Sequence, residues 1–331
     1  MKVLVLGGTV FLSAAVAKDF LERGHEVTCL SRSTTARAPQ GAREVQADRS
    51  AGPVVYDDVR GDWDAVVDVA TDPRFVRDAL GALGERARHW TYVSSCSVYA
   101  DQDEPDCNET QPVIEPLADS ATPAPENYGA SKSACESLCT TTLGRRVLIV
   151  RPGLIVGAGD PSDRGGYWPA RFARGDEEVL IPAARDLWTQ QIDVRDLSQW
   201  LVTCAESNTT GVMNAVGNPL PLAEAIERIR RVADFTGSVL VAPDQWLLDH
   251  GVEPWAGPES LPLWIPRGRG FDGFSRRSHE VARRHGLSLR PLEKTWSDCL
   301  ADEWSRGLDR ARRAGLSAER EVQLRELLHA G

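Results

Sequence analysis

The stretch K-V-L-V-L-G-G-T-V-F-L-S, residues 2–13, joins a short apolar run to two glycines and the start of a helical pattern. Lys2–Leu6 predicts a buried first strand, because its apolar residues are consecutive and too few for a helix. From Phe11 to Arg23 apolar side chains recur at helical spacing, and Gly24 predicts the end of that helix. A strand, a glycine turn and a helix in this order predict the first unit of a parallel α/β sheet.

The alternation continues through the first 150 residues. Strands are predicted at Glu26–Leu30, Glu44–Ala47, Asp64–Ala70, His89–Ser94 and Arg146–Arg151, with helices at Phe75–Leu83 and Gly129–Leu143. This pattern predicts βαβ units in a Rossmann-type, doubly wound parallel sheet, and therefore the α/β fold class.

The rest of the chain is less regular. Residues 101–126 hold five prolines and predict a surface loop, and residues 151–185 show no clear periodicity. Later helices are predicted at Val194–Ala205, Leu222–Ala233, Leu292–Ala314 and Ala318–His329, with a strand at Val212–Val216. We therefore predict a dinucleotide-binding Rossmann domain from residues 1–151 and 190–217. A smaller, mostly C-terminal α+β substrate lobe would comprise residues 152–189 and 218–331.

Composition narrows the classes of function. Lys and Arg number 38 against 48 Asp and Glu, a net charge of −10 that disfavours nucleic acid and acidic membranes as partners. No apolar run reaches the ~18–20 residues of a membrane span, and the N-terminal run is too short for a signal peptide, so a cytoplasmic protein is expected. The seven cysteines match no zinc spacing, which predicts free thiols and no metal site.

The glycine turn is a candidate phosphate-binding loop, formed by Gly7, Thr9, Val10, Phe11 and Leu12. Glycines let the backbone turn sharply and approach a pyrophosphate at the positive end of a helix. The spacing G-x-x-G-x-x-G would also place glycines at positions 10 and 13, where this chain has valine and serine. Because a β-branched residue resists the backbone angles that glycine permits, a ligand-free turn stays open as an alternative.

The end of the second strand bears on the choice of cofactor. Ser31 and Arg32 stand where an acidic residue would bind the adenosine ribose of NAD, and they suit the 2′-phosphate of NADP instead. We therefore expect NADP in preference to NAD, with a solvated surface arginine as the alternative. Asp48, after the third strand, is a candidate ligand of the adenine amine or a plain turn aspartate.

Tyr128 and Lys132 form the most informative motif, Y-G-A-S-K. Four residues apart, they share one face of a helix. Only four basic residues are lysine, so a lysine here suggests a task that arginine cannot perform. A nearby ammonium favours the phenolate and lowers the pKa of a tyrosine, which could then transfer protons near neutral pH. Ser95, at the carboxyl end of a strand, is the candidate third member.

At these motifs the chain resembles the extended and atypical short-chain dehydrogenase/reductases, the NAD-dependent epimerase/dehydratase family. The matching stretches are G-G-T-V-F-L-S at Gly7, Y-V-S-S-C-S-V-Y at Tyr92, Y-G-A-S-K at Tyr128, R-P-G-L-I-V-G-A-G-D at Arg151 and I-D-V-R-D-L at Ile192. The resemblance implies that Ser95 binds the substrate oxygen, that Tyr128 transfers the proton and that Lys132 also binds the nicotinamide ribose. Further cofactor contacts are expected from Val69, Ala70, Arg151, Pro152 and Gly153.

The substrate side is expected after the strand at residue 151. Cys96, Arg164, Tyr167 and Trp168 are candidate substrate residues, and Trp188, Trp255 and Trp264 add aromatic rings to the same region. Nucleotide-sugar epimerases of the family tend to carry an asparagine for the diphosphate where this chain has Leu154. A compact carbonyl or hydroxyl metabolite is therefore expected rather than a nucleotide sugar.

These observations predict an NAD(P)-dependent oxidoreductase or epimerase that moves hydride to or from a carbonyl or carbinol carbon. One alternative is a nucleotide-sugar epimerase with a tightly held cofactor. Another is a non-catalytic nucleotide sensor or RNA-binding member of the family, which the intact Tyr–Lys motif and the acidic charge disfavour. A dehydratase is disfavoured because Cys96 and Ser97 stand where its acidic pair would follow Ser95. The sequence leaves the oligomeric state open between monomer and homodimer.

Overall fold

The computed structural model describes residues 1–175 and 178–331 of the chain. Its strands are β1 (Lys2–Leu6), β2 (Glu26–Ser31), β3 (Arg43–Gln46), β4 (Trp63–Asp68), β5 (Ala87–Val93), β6 (Val147–Pro152), β7 (Leu154–Val156), β8 (Glu178–Pro182), β9 (Trp188–Asp193), β10 (Gly211–Ala215), β11 (Pro219–Pro221), β12 (Ser238–Ala242), β13 (Glu253–Trp255) and β14 (Ser260–Pro262). Its helices are α1 (Phe11–Glu22), α2 (Pro73–Leu83), α3 (Tyr128–Leu143), α4 (Tyr167–Ala173), α5 (Val194–Glu206), α6 (Leu222–Val232), α7 (Asp244–Asp249), α8 (Glu280–Arg284), α9 (Leu292–Arg306) and α10 (Ala318–Ala330).

A parallel sheet of seven strands forms the centre of the molecule, in the order β3-β2-β1-β4-β5-β6-β10. The strand order reverses direction between β1 and β4, which register Val3 against Ala65 and Leu6 against Asp68. In open α/β sheets the crevice at such a reversal, outside the carboxyl ends of the strands, is where ligands bind. The predicted Rossmann-type sheet is confirmed.

Helices cover both faces of this sheet. On one face α1 and α5 pack together over a core that includes Val5, Phe20 and Trp200. On the other face α2 and α3 cover a second core around Tyr56 and Trp90. Strands buried on both faces explain why the sequence shows continuous apolar runs there and not alternation.

The smaller lobe has its own core and its own short sheets. β7, β9 and β11 form a three-stranded sheet, while β8 pairs with β12 and β13 with β14. Their core is rich in large aromatic side chains, including Trp168, Phe172, Trp264 and Trp296, all buried. The predicted α+β character of this lobe agrees with the structure. Residues 190–193, placed in the Rossmann domain from the sequence, belong to β9 of the small sheet, whereas α5 and β10 return to the large one.

One predicted helix is wrong in length. The pattern predicts a helix over Leu292–Ala314, but α9 ends at Arg306 and the chain turns at Gly307, whose φ is 94°. The turn is stabilised because Arg310 and Arg312, beyond it, fold back to donate hydrogen bonds to the buried carboxylate of Glu303. The stretch of residues 151–185, left without periodicity, contains β7, α4 and β8 in its described part.

Candidate active site

The turn between β1 and α1 requires both of its glycines. Gly7 and Gly8 have φ values of 128° and 88°, in the region that side-chain-bearing residues rarely adopt. A Cβ at Gly8 would lie 2.8 Å from Cys29 Cβ and closer still to its Sγ. Because Cys29 is buried in β2, this turn can pass over the sheet only with glycine at position 8.

Val10 avoids the strain that its sequence position suggests. It has an extended backbone, φ −133° and ψ 131°, which a β-branched residue adopts readily. The left-handed conformation falls instead on Phe11, with φ 42°. Ser13, at the third glycine position, donates from its Oγ to the carbonyl oxygen of Val10 at 2.8 Å and so braces the loop.

The start of α1 fits a pyrophosphate. No side chain caps the first N–H groups of this helix, and no acidic residue lies in its first turn. Uncapped N–H groups at the positive end of a helix are donors for an anion. The loop Gly7–Leu12 therefore retains the features of a dinucleotide site without the full glycine pattern.

The adenosine side of this site has an unpaired arginine. Ser31 is buried at the end of β2 and shares a hydrogen bond of 3.0 Å with Ser33 Oγ, while Arg32 is exposed and, among the described residues, pairs with no carboxylate. Asp48 is also exposed, and its Oδ1 accepts the N–H of Ser50. The structure thus shows Asp48 in the turn role, capping a short 3₁₀ segment.

A cavity of about 840 Å³ opens at the carboxyl ends of β1, β4 and β5. It brings together side chains from both lobes, including all three residues of the predicted triad, Ser95, Tyr128 and Lys132. The predicted cofactor and substrate residues that line it are Phe11, Leu12, Val69, Pro152, Gly153, Cys96 and Arg164. We call this space the triad cavity.

Lys132 is anchored in the sheet. Its Nζ donates to the carbonyl oxygens of Val93 at 2.7 Å, Ala70 at 2.9 Å and Val69 at 3.4 Å, and lies 5.0 Å from the ring centroid of Tyr92. An ammonium has three N–H donors, so these carbonyls use all of them. Burial lowers the pKa of Lys132 to about 8, since desolvation disfavours the charged form. The ribose contact that the family resemblance implies would need one of these hydrogen bonds to be exchanged.

Tyr128, at the start of α3, is the more accessible member of the triad, with 37% of its surface exposed. Burial of the hydroxyl raises its pKa above the ordinary value, while a hydrogen bond with Ser95 and the charge of Arg164 act in the opposite direction. Ser95 Oγ also accepts the N–H of Ser97 at 3.1 Å, which orients the serine. Tyr128 also borders a second cavity of about 670 Å³, lined in addition by Arg269 and Phe271, which we call the outer cavity.

The far wall of the triad cavity comes from the smaller lobe. The guanidinium of Arg164 lies over the ring of Trp255, 4.8 Å from its centroid, and its Nε donates to Ser162 Oγ at 3.1 Å. Phe274 packs edge-on against Trp255 at 5.2 Å. Aromatic walls with a few polar groups are typical of a small-molecule site.

Several predicted site residues lie elsewhere. Tyr167 and Trp168 are 3% and 1% exposed, and they fill the core of the smaller lobe instead of contacting the cavity. Trp168 donates its indole N–H to the carbonyl of Pro262, and a Cβ at Gly315 would collide with the ring of Tyr167. Arg151 is also buried, and its guanidinium binds both carboxylate oxygens of Glu136 at 2.9 and 2.7 Å, so it does not face a cofactor.

Other aromatic candidates are divided in the same way. Trp264 belongs to the core of the smaller lobe and donates to Asp244, whereas Trp188 stacks with Arg276 at another surface. Ala70 contributes only its carbonyl oxygen, which accepts from Lys132 and from Tyr92.

Phe274 and Ser162 are cavity residues that the sequence did not single out. Phe274 lies 146 positions after Tyr128 in a stretch with no periodicity, and no local motif marks it. Ser162 belongs to the run D-P-S-D-R at residues 160–164, in which serine and aspartate predict the turn that presents Arg164.

Residues 69–217 match the NAD dependent epimerase/dehydratase family. No curated protein matches the chain. The fold is similar to UDP-N-acetylglucosamine 4-epimerase from Bacillus cereus, with a TM-score of 0.65 and 18% identity over 94% of this chain and 98% of that one.

Two further solved structures show the same likeness. The UDP-Glc/GlcNAc 4-epimerase of Campylobacter jejuni gives a TM-score of 0.66 at 15% identity, covering 92% of this chain and 99% of that one. The UDP-glucose 4-epimerase of Thermus thermophilus, solved in complex with NAD, gives 0.62 at 18% identity, covering 91% and 98%. At identities this low, the likeness to these solved structures shows a shared fold and nothing more. The family match confirms the resemblance inferred from the motifs.

Proposed function

Because residues 69–217 match the NAD dependent epimerase/dehydratase family, a family of enzymes, we propose that this chain transfers hydride between a nicotinamide cofactor and a carbonyl or carbinol carbon of a compact metabolite. The observation that carries the proposal is the meeting of Ser95, Tyr128 and Lys132 on one cavity at the carboxyl edge of the sheet. That cavity adjoins the uncapped start of α1, where a dinucleotide would bind.

The three side chains have distinct tasks in a reduction. A nicotinamide cofactor, when bound beside these residues, would supply the hydride. Tyr128 gives its phenolic proton to the carbonyl oxygen as the carbonyl carbon accepts the hydride, so the product is a carbinol and the tyrosine becomes a phenolate. Ser95 holds the same oxygen by a hydrogen bond, and the ammonium of Lys132 stabilises the negative charge left on Tyr128. Oxidation follows these steps in reverse.

NADP is the cofactor we propose. Ser31 and the unpaired Arg32 follow β2, where the adenosine ribose would lie, and no acidic residue stands at the strand end to bind its 2′-hydroxyl. An exposed guanidinium is a bidentate partner for a phosphate. The family is NAD-dependent, so NAD is the competing cofactor.

A nucleotide-sugar epimerase is the second candidate, favoured by the likeness to UDP-sugar epimerases. Leu154 argues against it. Its side chain is buried on the wall of the triad cavity and offers no donor to a diphosphate. Burying phosphate charge against an apolar side chain costs several kcal/mol without a compensating donor, by order of magnitude.

The test combines cofactor titration with two variants. NADPH should bind more tightly than NADH, and Arg32→Ala should remove that difference. Tyr128→Phe should lower NADPH-dependent reduction of a carbonyl panel by at least ~10²-fold while leaving NADPH affinity nearly unchanged, because it deletes only the proton donor. Turnover of Tyr128→Phe within a few-fold of the unmodified enzyme would refute the mechanism. Saturable binding and turnover of a nucleotide sugar would restore the second candidate.

A further inference from the structure

Arg164 is an unusual arginine for a cavity wall. Trp255 covers one face of its guanidinium and Ser162 occupies its Nε, yet its two terminal nitrogens have no hydrogen-bond acceptor among residues 1–175 and 178–331. No carboxylate of the described chain pairs with it within 4.0 Å, although most partly buried arginines of this protein have such a partner. Its partial burial lowers its pKa from the ordinary value, because desolvation disfavours the charged form.

The nearest acid is already committed to the backbone. Asp160 accepts the N–H of Ser162 at 2.8 Å with Oδ1, and with Oδ2 it accepts the Ser162 hydroxyl at 2.9 Å and the N–H of Gly165 at 3.1 Å. Its function is to shape the turn that presents Arg164. Lys132, the other cation of the described chain that lines this cavity, gives its three donors to backbone carbonyls on the opposite side. Arg164 is thus the cation that retains free donors inside the triad cavity.

We infer that Arg164 binds a carboxylate of the substrate, so that the compact metabolite of the proposed function is a carbonyl or hydroxy acid. The inference rests on that function for the identity of the reacting group. With its centre over the indole of Trp255 and its Nε bound to Ser162, the guanidinium keeps its two terminal nitrogens as donors, and a carboxylate can accept from both. Arg164 and Tyr128 line the same cavity, so the carboxylate and the reacting carbon of one compact molecule would both lie within it.

The local charge favours a monoanion. The buried carboxylate of Asp160 lines the same cavity as Arg164, and its negative charge would repel a phosphate dianion more than a carboxylate. Trp255 and Phe274 leave the rest of this wall apolar, so a hydrocarbon or aryl portion of the acid would pack against them. The cofactor phosphates would lie at the start of α1 and beyond β2, where other donors serve them.

The experiment measures binding and needs no turnover. Isothermal titration calorimetry on NADPH-loaded protein would compare 3-phenylpropanoate with 3-phenylpropanamide, two ligands of one shape that differ in charge. We expect the acid to bind at least ~10-fold more tightly than the amide, as for a charge-assisted bidentate pair. Arg164→Gln should bring the two within about twofold, and Arg164→Lys should restore only part of the preference because it keeps the charge and loses the fork.

Arg269→Gln is the matched control, since Arg269 is an exposed arginine of the neighbouring outer cavity. It should leave the acid–amide ratio unchanged, and none of the variants should alter NADPH affinity. The inference is overturned if neither ligand binds, if acid and amide bind equally, if the preference follows Arg269, or if Arg164→Gln weakens NADPH and the acid together. Acid binding that depends on Arg164, without reduction of any oxo acid, would leave this inference standing and refute the proposed function.

Discussion

At the scale of single residues, Lys132 is buried and its ammonium is fully hydrogen-bonded. The residue is 3% exposed, and its ammonium lies among three backbone carbonyls at the ends of β4 and β5. Arginine could not enter this space without displacing those carbonyls, because its guanidinium is wider and planar. This explains why a chain that otherwise prefers arginine has a lysine at position 132.

The lowered pKa of Lys132 predicts a pH dependence. Lysine is charged below its pKa, so the charge that we propose stabilises the Tyr128 phenolate is present below about pH 8 and lost as pH rises through that value. The pKa of Tyr128 is raised by burial, so the tyrosine keeps its proton over the same range. We expect kcat/KM for reduction to fall above about pH 8, as measured by initial rates from pH 6 to 10.

Lys132→Arg provides the control for this profile. A guanidinium stays protonated throughout the range, so the variant should be slower but lack the inflection near pH 8. A profile for the unmodified enzyme that stays flat to pH 10, or an inflection that persists in the variant, would contradict the assignment.

The triad could be predicted from the sequence because its key spacing is local. Tyr128 and Lys132 share one helix, so their proximity follows from the helical repeat alone. Trp255 and Phe274 reach the same cavity from the other lobe, and no local rule connects residues so far apart in sequence. Tyr167 and Trp168 were predicted to line the cavity, but they belong to the core of the smaller lobe. The sequence could not distinguish these places, because an aromatic pair on a helix suits a core as well as a pocket.

At the scale of elements, the β1–α1 turn requires glycine at position 8 for two reasons, the backbone angle and the close approach of Cys29. Gly8 and Gly24 have similar φ values, 88° and 81°, but a Cβ at Gly24 would meet nothing within 4 Å. Gly24→Ala should therefore cost only the strain of a left-handed alanine, about 1–2 kcal/mol. Gly8→Ala should cost roughly 1–3 kcal/mol more, since the new methyl overlaps Cys29.

Urea denaturation of the two alanine variants measures this difference. NADPH affinity should fall in Gly8→Ala and stay unchanged in Gly24→Ala, which lies at the far end of α1. Equal losses of stability would mean that β2 moves aside at no cost, and that the close approach of the turn to Cys29 is unimportant.

The element types of the first 150 residues were predictable because each buried strand is a continuous apolar run closed by a turn signal. Beyond residue 290 the same rules predicted a helix that continues to Ala314, whereas α9 ends at Arg306. The helical pattern does not predict that Arg310 and Arg312 turn back toward Glu303, because ion pairs of this kind depend on tertiary structure. Gly307 was the available signal for the stop.

At the scale of the whole molecule, a charge cluster ties the C-terminal segment to the turn that carries Arg164. Asp163 is 4% exposed and accepts from Arg306 and Arg310 and from the N–H of Arg313. Glu303 joins the same arginines from α9. Through Asp163 the segment from Glu303 to Arg313 anchors the turn that carries Arg164.

This cluster predicts an acid-sensitive stability. Although burial alone would raise it, hydrogen bonds from Arg310 and Arg313 lower the pKa of Asp163 below its usual value. A carboxylate with a depressed pKa stabilises the fold above the unfolded value of about 3.9 and loses that contribution as pH falls through the folded value. Asp163→Asn should therefore lower the free energy of unfolding by about 2 kcal/mol at pH 7, and by progressively less as pH approaches 3.

Asp119→Asn is the comparison, because Asp119 forms an exposed pair with Arg77 and should cost under about 1 kcal/mol. Urea unfolding of both variants from pH 3 to 7 measures the effect. A loss in Asp163→Asn that is no larger than in Asp119→Asn, or one independent of pH, would show that the cluster contributes little.

The two-lobed architecture was predictable in outline, and the way its lobes meet was not. Alternating strands and helices specify a doubly wound sheet, and a loss of periodicity marks where the second lobe begins. β9 and β10 follow one another in the chain yet belong to different sheets, a separation decided by packing. Within the described residues no helix is long and apolar enough to cross a bilayer, and no group of three His, Cys, Asp or Glu side chains could hold a metal ion.

The burial of Lys132 has a practical consequence for chemical attachment. Amine-reactive reagents need an accessible, unprotonated nitrogen, and the side chains of Lys18 and Lys294 are 66% and 64% exposed. Lys132 has its nitrogen enclosed by the strand ends. Amine-reactive dyes, surfaces or polymers would therefore react at Lys18 in α1 and Lys294 in α9 in preference to Lys132, so that labelling at these two positions leaves the candidate triad unmodified.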